Sequence, residues 1–326
     1  MNSTTEKPGA DVMRHAVEIA ARAPSIHNTQ PWKWRIGPLR LDLFADRTRQ
    51  LDIVDTAGRA ILVSCGAALF QARIALEAAG WDTSVDRLPD PADPDHLATI
   101  TITGPAAPDP KARRLVQVAR ERRTDRRPFL DRPLDEQARA ELAGAATAED
   151  CMLHPVLGHD DRVTLIVAIG RADEIESADP AYRAETRHWS GRADGATDGV
   201  PATAAPPPQQ RQSDVPVRDF AGERTATRPD QIERAAMFVL ASEGDSARHR
   251  LRAGEALAHV LLVAAETGLA AAPYTQPLEI PATMTLLHGV LGGLGQPQML
   301  LRIGWPGEGP PPPLTPRRSV DDVLIG

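Results

Sequence analysis

Ala23-Pro24-Ser25-Ile26-His27-Asn28-Thr29-Gln30-Pro31-Trp32 is the stretch whose reading decides the rest of the chain. An Ala-rich amphipathic segment precedes it, with Val12, Met13, Ala16, Val17, Ile19 and Ala20 apolar at helical spacing; a strand-like run, residues 32–36, follows it. The ten residues are therefore expected to be a helix-to-strand loop, a place where a scaffold can hold side chains at a site. Prolines restrict the backbone near both ends and remove two donors. Ser25, Asn28, Thr29 and Gln30 supply several hydrogen-bonding groups, and Trp32 is an apolar stop. Taken alone, such a cluster also reads as an ordinary turn, because Ser, Asn and Pro favour turns.

The surrounding composition narrows the function classes. The 326 residues are enough to bury a sizeable core, as two domains or one large one. Apolar residues at 42% and charged residues at 25% are ordinary for a soluble globular chain. A net charge of -7 argues against a nucleic-acid partner or a membrane surface. A bound phosphate is then expected to sit in a local arginine cluster. No apolar run of about 18 residues stands out, and residues 1–7 lack a signal-peptide core, so a cytoplasmic chain is expected. Cys65 and Cys151 form no CxxC pattern and read as buried thiols; no metal site is expected.

Along the chain, strand-like runs at 32–36 and 40–45 lead into a long apolar helix over 59–79, with Gly80 placed as its C-terminal stop. Strands are expected at 81–85 and 99–103, and 104–110 reads as a linker between halves. A basic helix carrying Arg113, Arg114, Arg120, Arg122 and Arg123 opens the second half. A helix entered at Leu134, a strand around 151–157 and a helix from about Asp161 follow. Residues 188–228 are rich in Gly, Ala, Pro and polar side chains without periodicity, too long for an ordinary connection, and read as a lid or a mobile insert. A strand at 235–240, helices over 247–267 and 281–289, and a strand at 298–303 complete the order. Gly66-Ala67-Ala68-Leu69 before Gly80 is matched by Gly254-Glu255-Ala256-Leu257 before Gly268, a weak internal repeat. If it is structural, two halves pack about a pseudo-two-fold axis and ligands lie between them.

Three further stretches carry chemistry. In Arg122-Arg123-Thr124-Asp125-Arg126-Arg127-Pro128-Phe129 the guanidinium forks match phosphate oxygens, so two or three converging arginines can hold a phosphomonoester. Lys7, Lys33 and Lys111 are the only lysines, which lowers the weight of an arginine-rich motif here. Gly268-Leu269-Ala270-Ala271-Ala272-Pro273-Tyr274-Thr275-Gln276 is, by itself, a helix stop and a strand. The tail ends Pro316-Arg317-Arg318-Ser319-Val320, whose plain reading is a basic tail. Gly289 to Gly295 precedes a strand where a dinucleotide loop would follow one, and His154, His159, Asp160 and Asp161 match no common metal spacing.

Together these stretches resemble the nitroreductase family, whose loop Ala-Pro-Ser-x-x-Asn-x-Gln-Pro-Trp shares seven identities with residues 23–32. The resemblance implies an α+β, nitroreductase-like fold with mixed or antiparallel sheets and flanking helices, and an FMN bound between two units. It implies that Pro24, Ser25, His27, Asn28 and Gln30 lie toward the flavin. It implies that Arg122, Thr124 and Arg126, with Arg123 nearby, face its phosphate; one inserted residue before Phe129 leaves Arg126 and Arg127 as alternatives. Pro273, Tyr274, Thr275 and Gln276 would lie along the ring, and Arg317, with Arg318 beside it, would reach the phosphate from the tail. The first half has the loop without an arginine pair, the second the arginines without the loop. One chain, with halves at 1–108 and 109–326 and an insert at about 188–230, would thus make one site, as in Acg-type single-chain members of the family. No catalytic side chain is implied, because the flavin supplies the redox chemistry. The implied reaction is NAD(P)H-dependent, ping-pong reduction of nitroaromatic or quinone-like acceptors by a monomer acting on small molecules. The rival is a flavin-sequestering protein, with Trp189 and Phe220 anchoring a lid. A third possibility is a vestigial site.

Overall fold

The computed structural model describes residues 8–193, 195–201 and 235–326. Helix α1 (Ala10–Ala20) turns Met13, Ala16, Val17, Ile19 and Ala20 inward, the face its spacing predicts. After the opening loop, β1 (Trp32–Ile36) and β2 (Arg40–Ala45) pair antiparallel with Trp32 opposite Ala45. The long helix α2 (Arg59–Ala78) comes next, then β3 (Trp81–Arg87) and β4 (His96–Pro105). These strands form one antiparallel sheet in the order β1-β2-β4-β3.

The second part opens with α3 (Pro110–Glu121) and α4 (Glu136–Thr147), both capped at their starts by aspartate carboxylates, Asp109 and Asp135. It continues through β5 (Met152–Pro155), α5 (His159–Ala178), α6 (Pro180–Trp189), β6 (Ser190–Arg192) and β7 (Val200–Pro201). Then come β8 (Ala236–Ser242), α7 (Ala247–Glu266), β9 (Ala270–Tyr274), α8 (Gln276–Glu279), α9 (Pro281–Val290), β10 (Gln296–Gly304) and α10 (Val320–Val323). Its main sheet is antiparallel in the order β5-β8-β10-β9, while β6 and β7 form a small parallel pair.

The two main sheets share one plan: the first two strands pair, a twenty-residue helix follows, and the last strand inserts between the second and third. The sequence repeat is therefore structural. Its glycines meet: a Cβ on Gly66 would stand 2.0 Å from the Leu251 carbonyl oxygen, and one on Gly254 would stand 2.1 Å from that of Val63. The contact is reciprocal, as across a two-fold axis, and only glycine permits backbone to touch backbone there. Helix α2 is buried on nearly every face between its sheet and α7, which explains its lack of an apolar stripe. It is also, against the sequence expectation, long and apolar enough by composition to cross a membrane; here most of that surface lies inside the core.

Three other expectations change. Helix α3 stops at Glu121, so Arg122 and Arg123 lie in the turn beyond it, not on it. The chain is drawn off the helix because Thr124 bridges Ala271 on edge strand β9 and the Asp125 amide donates to the Ala271 carbonyl. The C-terminal tail is docked: Leu324 bridges Trp34, and Ser319 and Asp322 cap α10 reciprocally. The start of the expected insert is structured through Pro201; its remainder, with Phe220, lies outside the described residues.

Candidate active site

The opening loop is held in an uncommon shape. His27, Asn28 and Gln30 have φ of 45°, 55° and 51°, the left-handed region that non-glycine residues rarely enter. Such strain persists only where the surroundings over-determine it, and here they do. Ser25 Oγ accepts from the Gln30 amide at 3.0 Å, and Ser64 Oγ on α2 accepts from the Ile26 amide at 3.2 Å. Gln30 Nε2 donates to the Thr197 carbonyl at 2.8 Å, and its Oε1 accepts from the Arg318 amide at 2.9 Å. Asn28 Nδ2 donates to the Gly199 and Pro316 carbonyls at 3.0 and 3.1 Å. Its Oδ1 is buried with no partner among the described residues.

The loop forms one wall of a cavity whose opposite wall comes from the second sheet, the turn after α3 and the tail. Of the sequence candidates, Pro24, Ser25, His27, Asn28, Arg122, Arg123, Thr124, Arg126, Pro273, Tyr274, Thr275, Gln276 and Arg317 all line it. Gln30 and Arg318 do not; they brace the loop against the tail, Arg318 donating to the Gln30 and Asp322 carbonyls. Of the alternatives Arg126 and Arg127, Arg126 lines the cavity, whereas Arg127 is bound to Asp125 at 2.7 Å. The Gln276 amide is tied to Asp173 and Glu176 on α5, at 3.0 and 2.9 Å.

Charge is unevenly placed around this space. Burial pulls the Arg122 guanidinium down to about 10, and Arg126 adds to the shift. Burial pulls Arg317 down to about 9, assisted by Arg122 and Arg22. Among the described residues, the charged neighbours that shift these two groups are cations. Arg317 donates to the backbone carbonyls of Arg22, Ala23, Thr315 and Pro316, but its Nε has no partner. Arg122 Nε and Nη1 and Arg123 Nε likewise have none among the described residues. Clustered, half-buried cations with desolvated nitrogens are costly unless an anion meets them, so this corner suits a multiply charged anion such as a phosphomonoester.

Sequence reasoning missed other lining residues: Arg22, Asp55, Arg59, Ser64 and Glu279. Asp55 carried a legible signal, an acidic residue just ahead of an apolar helix; its carboxylate accepts from the Ala60 and Ile61 amides at 2.8 Å each. Burial raises its carboxyl above the ordinary value despite those bonds. Arg59 is positioned by Asp245 at 2.9 Å and by Gln298 Oε1 at 2.8 Å. Burial alone would raise Asp245, but Arg250, Arg59 and Gln298 outweigh it and hold the carboxyl at about 2. A carboxyl lowered on folding stabilises above its unfolded value and loses that contribution as pH falls through the folded one. Asp245→Asn is thus expected to flatten the fall of melting temperature between pH 3.8 and about 2, read by calorimetry across that window.

The described start of the insert sits against the same loop. Glu185 on α6 accepts from the Asp52, Ile53 and Val54 amides, and Trp189 and Ile26 pack against a cluster of Leu51, Val54 and Tyr182. Asp198 pairs with Arg49 at 2.5 Å and Arg192 at 3.2 Å, the Gly199 amide donates to the Asn28 carbonyl, and Val200 lines the cavity.

Comparison with known proteins gives full-length relatives. The chain is 42% identical, over 98% of its own length and 93% of the other's, to a Mycobacterium tuberculosis protein named "Putative NAD(P)H nitroreductase Rv3131". It is 35% identical, over 96% of its length and 95% of the other's, to "Putative NAD(P)H nitroreductase acg" of the same species. Among solved structures, one titled a putative nitroreductase from Anabaena variabilis aligns at 10% identity over 93% of this chain and 90% of that one, with a TM-score of 0.46. No family model matches.

Proposed function

Since the chain belongs to the nitroreductase family, we propose that it is an FMN-binding oxidoreductase with one flavin site, made where residues 1–108 meet residues 109–326. The observation that carries this reading is the pair Arg122 and Arg317, half-buried beside other cations, with guanidinium nitrogens that are buried and unpartnered among the described residues. They would hold the flavin phosphate together with Arg123, Thr124 and Arg126. Pro273, Tyr274, Thr275 and Gln276 would line the ring on one side and the 24–28 loop on the other. The unpartnered Asn28 Oδ1 and Tyr274 hydroxyl are free for its polar edge. When bound, FMN supplies two-electron redox chemistry, and the chain's side chains bind and orient rather than attack. NAD(P)H would be the reductant and a nitroaromatic or quinone-like compound the acceptor, with the chain acting as a cytoplasmic monomer. Purified protein incubated with FMN and desalted is expected to keep a flavin spectrum, with the extracted chromophore identified as FMN. Colourless protein after that treatment overturns the reading and leaves a vestigial site.

A second reading, flavin sequestration with little turnover, is favoured by the described segment 195–201. It is bonded to the loop through Asn28, Gln30 and Arg49 on the border of the cavity. In it, the segment hinders nicotinamide from reaching the ring. Mixing the loaded protein with NADPH or NADH in a stopped-flow instrument separates the two readings: rapid bleaching excludes storage as the sole role. If bleaching is slow, Asp198→Ala is expected to quicken it roughly fivefold, since losing a part-buried pair worth on the order of 1 kcal/mol raises the open population by that factor. An unchanged slow rate in Asp198→Ala counts against these ion pairs as the hindrance.

A further inference from the structure

Arg302 interrupts the apolar run of β10. Met299, Leu300, Leu301 and Ile303 around it are core residues, and Arg302 is itself 0% exposed. The strand is paired on both edges, with Arg302 opposite Met237 on β8 and Ala272 on β9. Arginine is seldom fully buried unless its charge and donors are met. A methionine would fill the same strand position without the desolvation cost, so the guanidinium is there for what it holds.

It holds the turn after α3. Arg302 Nη2 donates to the Asp125 carbonyl at 3.2 Å and to the Arg127 carbonyl at 2.9 Å, the residues on either side of Arg126. Its guanidinium carbon stands 4.3 Å from the centre of the Phe129 ring. That ring packs on Gly304, where an added Cβ would come within 2.8 Å of it. The Asp125 amide is fixed on Ala271 and its carboxylate on Arg127, whose Nη1 donates to the Pro310 carbonyl at 2.6 Å. Arg126, between these two anchored residues, lines the cavity with Arg122, Arg123 and Thr124. A long side chain on a free turn meets an anion only after losing the freedom of its backbone as well as its own. Fixing the turn beforehand removes part of that cost.

We propose that Arg302 is the positioning residue of the phosphate corner. From the middle of the second sheet it pins the two carbonyls that flank Arg126 and presents that guanidinium to the phosphate, which makes it a determinant of the choice of a flavin mononucleotide over the unphosphorylated flavin. The proposal rests on the cavity being the flavin site and concerns the phosphate end of the ligand alone. Arg302 does not line the cavity, so it acts through the turn.

FMN and riboflavin, which differ by the phosphate, are titrated in parallel into the flavin-free parent, Arg302→Met and Arg302→Lys. Arg302→Met is expected to weaken FMN about tenfold, the equivalent of one charge-assisted bond, and to leave riboflavin within about twofold of the parent. A loss common to both flavins is what a merely structural role predicts, and it overturns the proposal. Arg302→Lys keeps the charge without the planar fork. Where Arg302→Met does not fold, Arg302→Lys is read alone: a smaller fall in the preference for FMN supports the proposal, and an unchanged preference overturns it. In Arg126→Ala, adding Arg302→Met should weaken FMN little further, because the residue being positioned is gone. Losses that multiply overturn the route through Arg126. The parent reads the premise separately: binding of neither flavin overturns the flavin reading and this proposal with it. A parent that prefers FMN beside variants with the same preference overturns this proposal alone.

Discussion

Replacing Arg122 by alanine is expected to weaken FMN binding roughly 10- to 150-fold, the loss of a charge-assisted bond of 1.5–3 kcal/mol, while leaving the flavin-free protein as stable as before or more so. The two signs oppose because of where the guanidinium lies. Without ligand it is a half-buried charge whose charged neighbour is another arginine, Arg126, and two of its nitrogens are buried with no acceptor among the described residues. Removing it relieves a desolvation cost and a repulsion. With FMN present the same nitrogens would meet phosphate oxygens, so the variant loses what the parent gains. Asn28→Ala should behave in the reverse way. Its amide joins the loop to Gly199 and Pro316, so the flavin-free protein loses stability, by about 1–2 kcal/mol for one buried and one part-buried hydrogen bond, and FMN affinity falls by less than in Arg122→Ala. Flavin fluorescence titration and calorimetry of the FMN-free proteins read both quantities. Equal affinity losses in the two variants would mean that the phosphate lies elsewhere.

Much of this geometry was legible in the sequence, and the part that was not has a physical cause. Strands and long helices announced themselves by period, and Gly80 and Gly268 marked helix ends because both need positive φ. The repeat was faint because its two helices are Ala-rich, and a buried helix apolar on every side carries no stripe to align. Only the reciprocal glycine contact makes the register plain. The end of α3 was misplaced because Arg122 and Arg123 suit a helix intrinsically; capture of Thr124 and Asp125 by the edge of β9 is a tertiary event that local propensity does not report. Gln30 and Arg318 sit within motifs yet outside the cavity, because a bracing residue and a contacting one have the same chemistry on paper. Arg59 and Ser64 were hidden in an apolar run, at the turn of α2 that faces the loop.

The expected effect largest in stability comes from the place where the halves touch. Gly66→Ala should lower stability by about 3 kcal/mol, or about 5 °C in melting temperature for a chain of this length, and Gly254→Ala should do the same. A methyl carbon 2.0 Å from the Leu251 oxygen, or 2.1 Å from that of Val63, meets backbone, which has no rotamer to yield. The helices must separate, and with them Ser64 and Leu257, which line the cavity from α2 and α7. FMN retention should therefore fall in both glycine variants although neither glycine lines the cavity. Gly144→Ala in α4 and Gly170→Ala in α5 are the controls: an added Cβ meets nothing within 4 Å at either position. Those two should gain up to about 1 kcal/mol, since alanine gives up less backbone entropy in a helix. Calorimetry of the four variants separates a close approach between halves from a general cost of substituting glycine. If Gly66→Ala and Gly170→Ala melt alike, the halves do not meet backbone to backbone at this crossing, and the two-fold relation between them loses its axis.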